Sequence, residues 1–589
     1  MNIDLRANPF FLTEEDCDWV HETIAAMNDE EKVGQLFFQL TSSQKEEDLI
    51  ELIQTYHLGG CRYNPAPARE VWKQNRILQE NSKIPLFIAC NTESGGDGAC
   101  TDGTYIGNGM KIGATGNHDY AEDMGRMGNA EAAAIGCNMA FAPVCDIYYN
   151  PMNTEISTRA FSNDPEMVKK CSVEYVRGAH QNTDFACVAK HFPGNGVDYR
   201  DAHLSNHVND FSPKHWDETY GMVYKELIEN GVEGIMGGHI MLPEYVRELA
   251  PELPEEEVWM PATLNKTLMT TLLRDKLGFQ GVVVTDASHM VAMTNQMTRK
   301  EMLPRAINAG CDMFLFFNDP QEDFQTMLTA YQRGVISEER MTEALTRILG
   351  IKAHLQLHKK SAAEMVPEKD TLDRVLGNEE FKKKQSEISE KSLTLVKYKD
   401  KDVLPISPEK YKKVMIVHIK GHETGMVELL KLCGMEGKNP AETVKQKLCE
   451  RGYDAYVYES PLDQMKQKAL KGEKPDLNIY FAGKNAISEF REQADLVITL
   501  CDVMAGRPSF GMSKGGGEIP WYVFEVPVIA VGCGQPTMLS DIPQVRTYIN
   551  IYDAKENTLE KLIEALSSGA DAFVGKDPID SFCGLQDTK

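Results

Sequence analysis

No apolar run in this chain approaches the roughly 18 residues needed to cross a bilayer, so no membrane-spanning helix is expected. Basic residues are in deficit: 62 Lys and Arg stand against 88 Asp and Glu, a formal charge of -26. A negative field of that size argues against nucleic acid or an anionic membrane surface as partner. The 14 cysteines contain no Cys-x-x-Cys. Cys61, Cys90, Cys145 and Cys187 lie in apolar stretches, where Cys behaves as a small hydrophobe. The chain does not open with a basic segment followed by an apolar one, and a reducing, cytoplasmic setting is expected. Internal repeats, low-complexity tracts and phosphate-binding fingerprints are missing. The glycine-rich stretch 513–518 has the wrong spacing and reads as a flexible loop or helix entry. No His-x-His or other tight ligand pair occurs, so neither metal nor cofactor is expected.

What the chain does have is length and alternation. Its 589 residues exceed what one core holds. Short apolar runs recur at 33–40, 58–63, 85–90, 139–147, 185–189, 234–240, 281–285 and 311–317. Amphipathic stretches, such as 119–134, 215–230 and 263–277, separate them. This pattern predicts a (β/α)8 barrel over residues 1–357. A charged, weakly periodic segment, 358–388, reads as a linker. Beyond it, runs at 414–419, 455–458, 477–481, 496–500, 526–531 and 548–552 predict an α/β/α sandwich with a mainly parallel sheet over 389–589.

In such barrels chemistry sits where strands end. The third run ends in Asn91-Thr-Glu93, the fourth in Asp146 and the fifth in Lys190-His191. The sixth ends in His239 and the seventh in Asp286. Arg159 lies just past the fourth. After Lys190-His191, the loop Phe-Pro193-Gly-Asn-Gly runs on to Asp201-Ala-His203. Taken alone, Asp-x-His is ordinarily a solvated turn, and an Asp after Val-Val-Val-Thr is as readily a helix cap. Arg159, Lys190 and His191 have a plain alternative in surface ion pairs. Their convergence on one rim favours function.

Displacement at a sugar's anomeric carbon needs a carboxylate nucleophile and a proton donor for the leaving oxygen. Asp286 suits the first task. His203 suits the second if Asp201 fixes its tautomer and raises its affinity for the proton.

These stretches together, Lys190-His-Phe-Pro-Gly with Asp201-Ala-His203, Arg159-Ala-Phe161, and Gly278-Phe-Gln-Gly-Val-Val-Val-Thr-Asp286, resemble the motifs of glycoside hydrolase family 3. The Asp-x-His pair is similar to that of the β-N-acetylglucosaminidase branch. The resemblance implies a retaining mechanism, with Asp286 as nucleophile and His203, partnered by Asp201, as acid/base. It puts Asn91, Asp146, Arg159, Lys190, His191 and His239 at sugar-contacting positions. Where the family usually has Asp-x-Glu-Gly-Gly-Arg, this chain has Asn91-Thr-Glu-Ser-Gly-Gly, and Ala99 stands where a second Arg is usual.

The expected function is removal of terminal β-linked N-acetylglucosamine from a small carbohydrate substrate, with oligomeric state left open. The alternatives are a phosphorylase or β-glucosidase of the same family, or a non-catalytic sugar-binding protein. A metal-dependent hydrolase built on His191, His239 and Asp286 is a further class.

Overall fold

The computed structural model describes residues 3–41, 45–182, 185–420, 438–459, 461–474, 487–503 and 520–583. The expected strand 477–481 and the stretch 513–518 lie outside them. The chain divides into two compact units, Met1–Gly109 with His118–Lys384, and Met110–Asn117 with Gln385–Lys589.

The first unit is a closed parallel barrel. Its strands are β1 (Phe37–Thr41), β2 (Gly60–Tyr63), β3 (Phe87–Cys90), β4 (Met139–Ala140), β5 (Ala186–Phe192), β6 (Gly234–Gly237), β7 (Val282–Ala287) and β8 (Met313–Leu315). They follow one another in order around the ring. Closure comes from β1 pairing with β8, Phe37 opposite Phe314. All seven residues of β5 are buried, which is why that stretch reads as a continuous apolar run up to its two charged residues. Phe38 stacks on Phe87 and meets Phe141 edge-on, filling the barrel with rings instead of a channel.

Several expected runs shorten, for local reasons. Run 33–40 divides, because Asn28 and Glu31 form a reciprocal cap that makes Asp29–Gln35 a helix. Run 139–147 keeps two strand residues; Pro143 brings no N–H to a ladder. Run 234–240 stops at Gly237, and Ile240–Met241 instead pairs with His207–Val208. Helix Asp119–Ala134 matches its expected bounds. Stretch 215–230 is helical through Pro213–Trp216, a wide turn at Asp217–Gly221 and Met222–Glu229, and most of 263–277 is the wide helix Thr267–Lys276. Residues 358–388, read as a linker, carry the helices Ala362–Met365 and Lys369–Val375 and the start of Glu379–Lys391.

The second unit holds a sheet of six described strands: β9 (Thr394–Tyr398), β10 (Lys413–Lys420), β11 (Asp454–Val457), β12 (Leu496–Asp502), β13 (Val528–Gly532) and β14 (Thr547–Asn550). Their order is β9-β14-β13-β12-β10-β11. Only β9, which the sequence pattern did not announce, runs antiparallel. Val414 and Ile416 enter one core, Met415 and Val417 the other. That alternation is the mark of a sheet covered on both faces.

Candidate active site

The C-terminal ends of β3, β5 and β7 carry the charged groups. Asp286, near the end of β7, accepts the Ala287 N–H at 2.7 Å. Its second oxygen lies 3.8 Å from His191 Nε2. Behind His191, the fully buried Asp146 accepts the ring at Nδ1 (2.7 Å) and the His191 backbone N–H (3.2 Å). It also accepts the Asn195 N–H at 2.7 Å. Asp146 therefore fixes the His191 ring and presents its Nε2 to Asp286. Burial alone would raise the Asp286 pKa. The His191 and His239 imidazoles, the Ala287 N–H and Lys190 outweigh it and hold the carboxyl below its ordinary value.

Beside this line sits a second cluster, centred on Glu93, to which the sequence reading gave no role. Glu93, from the β3 exit, takes a two-pronged grip from Arg159, Nε at 2.8 Å and a terminal nitrogen at 2.9 Å. Lys190 Nζ lies 2.5 Å from the same carboxylate. Burial raises the Glu93 pKa, but Arg159 and Lys190 pull it well below the usual range. Lys190 itself shifts down, because burial and the adjacent Arg159 exceed the pull of Glu93 and Asp286. Arg62, on β2, is a further missed group. Its guanidinium is within electrostatic reach of Glu93 and Asp286, and burial lowers its pKa. The signal was a lone cation inside Gly60-Cys-Arg-Tyr63, an otherwise apolar strand.

The remaining expected residues separate into contacts and supports. His239 has both ring nitrogens engaged, Nδ1 with Thr263 Oγ1 at 2.8 Å and Nε2 with the Ala287 carbonyl at 3.1 Å. Asp146 and His239 thus both face protein groups. The Asn91 side chain makes no hydrogen bond among the described residues and is half-buried at the β3 exit. His191, His239 and Asp286 do not form a metal-donor cluster among the described residues; the donors that converge are Glu155, Asp201 and His203.

The loop after β5 owes its path to two glycines. At Gly194 (φ 122°) a Cβ would lie 2.2 Å from the Tyr220 ring, and at Gly196 (φ 108°) 1.9 Å from the Ile147 carbonyl. Buried donors hold it there: Trp216 Nε1 to Pro193 O at 2.7 Å, and Tyr220 Oη to Asn195 O at 2.6 Å. The loop then delivers Asp201 and His203. Asp201 Oδ1 meets His203 Nδ1 at 2.7 Å and accepts the His203 backbone N–H at 2.8 Å. The imidazole is half exposed. Its pKa is raised, first by the hydrogen bond to Asp201 and then by the charges of Asp201, Glu155 and Asp286, against burial. The loop is tied to the chain leaving β7: Ala292 N donates to Ala202 O (3.1 Å), and Val291 N to His203 O (3.3 Å). Asp286 and the Asp201–His203 pair are brought to one rim. His289, which follows Asp286, feels both His203 and Asp286 and is shifted down mainly by burial.

A carboxyl with a lowered pKa on a barrel strand and an imidazole with a raised one on the neighbouring loop are the kinds of group that breaking an acetal bond requires. This is the class of barrel enzymes that cleave glycosidic bonds. The description of the glycosyl hydrolase family 3 N-terminal domain fits residues 29–351. A β-N-acetylglucosaminidase/β-glucosidase of Cellulomonas fimi is 36% identical over 591 residues, spanning 100% of both chains. β-Hexosaminidase A of Pseudoalteromonas piscicida is 28% identical over 61% of this chain and 62% of its own. The structure of the β-glucoside phosphorylase BglX superposes with a TM-score of 0.87, at 33% identity over 99% of each chain. A family 3 β-N-acetylglucosaminidase of Paenibacillus sp. str. FPU-7 superposes at 0.76, with 25% identity over 95% of this chain and 100% of that one. The chain belongs to glycoside hydrolase family 3 and is a glycoside hydrolase acting on β-linked sugars. No described helix is long and apolar enough to cross a membrane.

Proposed function

We propose that the protein removes terminal β-linked N-acetylglucosamine with retention of configuration. The observation that carries this reading is the Asp201–His203 pair, bonded at 2.7 Å on a loop tied to the exit of the Asp286 strand. Asp286 attacks the anomeric carbon as His203 Nε2 gives its proton to the departing oxygen. The neutral imidazole then takes a proton from the incoming nucleophile, which releases the sugar. Lys190, Arg159 and Asn91 donate hydrogen bonds to the sugar hydroxyls, while Asp146 and His239 hold His191 and the β7 exit in place. The N-acetyl preference rests on the Cellulomonas fimi and Paenibacillus relatives. A cytoplasmic location belongs to this reading, supported by 13 described cysteines that are all free thiols.

A phosphorylase is the second reading, favoured by the likeness to BglX over nearly the whole chain. An imidazole repels incoming phosphate less than a carboxylate does. One experiment separates the readings. The protein is given chromogenic β-N-acetylglucosaminide and β-glucoside, with and without inorganic phosphate. Expected is release from the N-acetylglucosaminide that Asp286→Ala abolishes. Sugar 1-phosphate in the product selects the phosphorylase. Cleavage of the β-glucoside alone overturns the N-acetyl reading.

A further inference from the structure

Glu155 sits between the two halves of the site. It lies on the β4–β5 connection, four residues before Arg159, and nothing in the motifs marks it. Its side chain is 4% exposed, although no Lys or Arg forms an ion pair with it among the described residues. A carboxylate so buried needs a hydrogen-bond donor. One reaches it from the acid/base loop. Oε2 accepts the Ala202 N–H at 3.0 Å, the residue between Asp201 and His203. His207 Nδ1 lies 3.8 Å away, on the far side of that loop. Donor atoms of Glu155, Asp201 and His203 fall within 4.8 Å of one another. On its other side, the Glu155 carbonyl accepts from Arg159 Nη1 at 3.2 Å. One residue thus touches the cation bound to Glu93 and the loop that carries His203.

We propose that Glu155 is a positioning residue for proton transfer: it latches the Asp201–His203 loop through the Ala202 N–H and faces the imidazole with a second carboxylate. The inference rests on the acid/base reading of His203. Groups facing His203 are Asp201 on its own loop, Glu155 from the β4–β5 connection, Asp286 and His289 from the β7 exit, and His239 from the β6 exit. Three of these are carboxylates, and the two histidines are both shifted toward their neutral forms by burial. Carboxylates therefore dominate the field at the ring. Losing one of them favours loss of the proton.

The test compares the pH dependence of kcat/KM for the wild type, Glu155→Gln, Glu155→Asp and His203→Ala. Each is assayed on one substrate with an activated aryl leaving group and one with a poor alkyl leaving group. The basic limb of Glu155→Gln should move down by roughly half to one pH unit. Its kcat on the poor leaving group should fall about tenfold, with much less change on the activated one. Glu155→Asp should recover part of both. If the limb of Glu155→Gln stays put while only thermal stability falls, Glu155 is structural and the proposal fails. If His203→Ala itself keeps the basic limb and its rate on the poor leaving group, the acid/base reading has failed instead.

Discussion

Both ends of the barrel hold a buried carboxylate wrapped in cations, but the two clusters are closed to different degrees. At the N-terminal end, Asp312 is wholly buried. It pairs with Arg274 at 2.7 Å, Arg340 at 2.6 Å and Arg347 at 3.5 Å, and accepts the Val283 N–H at 2.9 Å. At the C-terminal end, Glu93 holds Arg159 and Lys190. The compositions are alike; what differs is where the remaining donors go. Arg274 gives its other hydrogen bonds to the Phe279 and Gly281 carbonyls, at 3.1 and 2.6 Å. Arg340 gives its own to those of Ile307 and Cys311, at 2.9 and 2.8 Å. That cluster ties β7, β8 and their helices together. Glu93, by contrast, is 18% and Arg159 31% exposed, so their cluster opens toward the cleft. A buried charge cluster is therefore no sign of function by itself.

The largest effect expected on this contrast is at the open end. Asp286→Ala should lower kcat on the order of 10⁴-fold or more while the melting temperature stays close to that of the wild type. Steady-state kinetics beside calorimetry measures both. A large fall in melting temperature would mean that the open end carries stability too, and the contrast would break.

Asp312→Ala should do the reverse. Removing one partner from a buried charge group costs about 3–5 kcal/mol of stability, with kcat per folded molecule unchanged. The sign of the pH effect follows from the Asp312 pKa. Burial would raise it, but Arg274, Arg347 and Arg340 hold it below the ordinary value. Its contribution to stability is thus full above the unfolded-chain value, about 3.9, and is lost as pH falls below that. Denaturant melts at neutral pH and near pH 3 should show a wide gap between wild type and variant closing as the acid is added. A constant gap would sink the electrostatic account.

Much of this was legible in the sequence. Eight apolar runs gave the barrel because parallel strands covered on both faces read as unbroken hydrophobic stretches. The rim residues Asp286, His191 and Lys190 followed from asking what each run ends in, and His203 from the loop after the fifth. Glu93, Arg62 and Glu155 did not. The first sits in Asn91-Thr-Glu93, where the departure from the family pattern is at Asn91 and the Glu itself is ordinary. The second is one cation in a short strand, and the third owes its importance to a backbone N–H 47 residues further along the chain. The split of run 33–40 was hidden for a similar reason, since a cap formed by Asn28 and Glu31 outweighs the hydrophobic run that follows. The edge strand β9 pairs antiparallel with a strand some 150 residues away, and no local pattern announces that.

Glu93→Gln sharpens the comparison, because it makes the same kind of cut at the open end. Arg159 and Lys190 would lose their shared anion, but water from the cleft can reach Arg159. The stability loss should therefore be smaller than for Asp312→Ala. The expected cost falls on the sugar instead: kcat/KM drops about a hundredfold, roughly 2.7 kcal/mol of transition-state binding, as two donors lose their fixed direction. Equal stability losses for the two variants would mean that both ends are structural.

The smallest effect concerns the loop, whose imidazole is half exposed and so most easily tuned. The Asp286 pKa is lowered and the His203 pKa is raised, so kcat/KM should be bell-shaped. Its acid limb should fall below the ordinary carboxyl value and its basic limb above the ordinary imidazole value of about 6.5. Replacing Asp201 by Asn removes the largest cause of the His203 shift, so the basic limb alone should move down, by about one pH unit. The acid limb belongs to Asp286 on its strand and should not move. If both limbs shift together, the loop and the strand titrate as one unit, and the rigid open end cannot be separated from the loop that serves it.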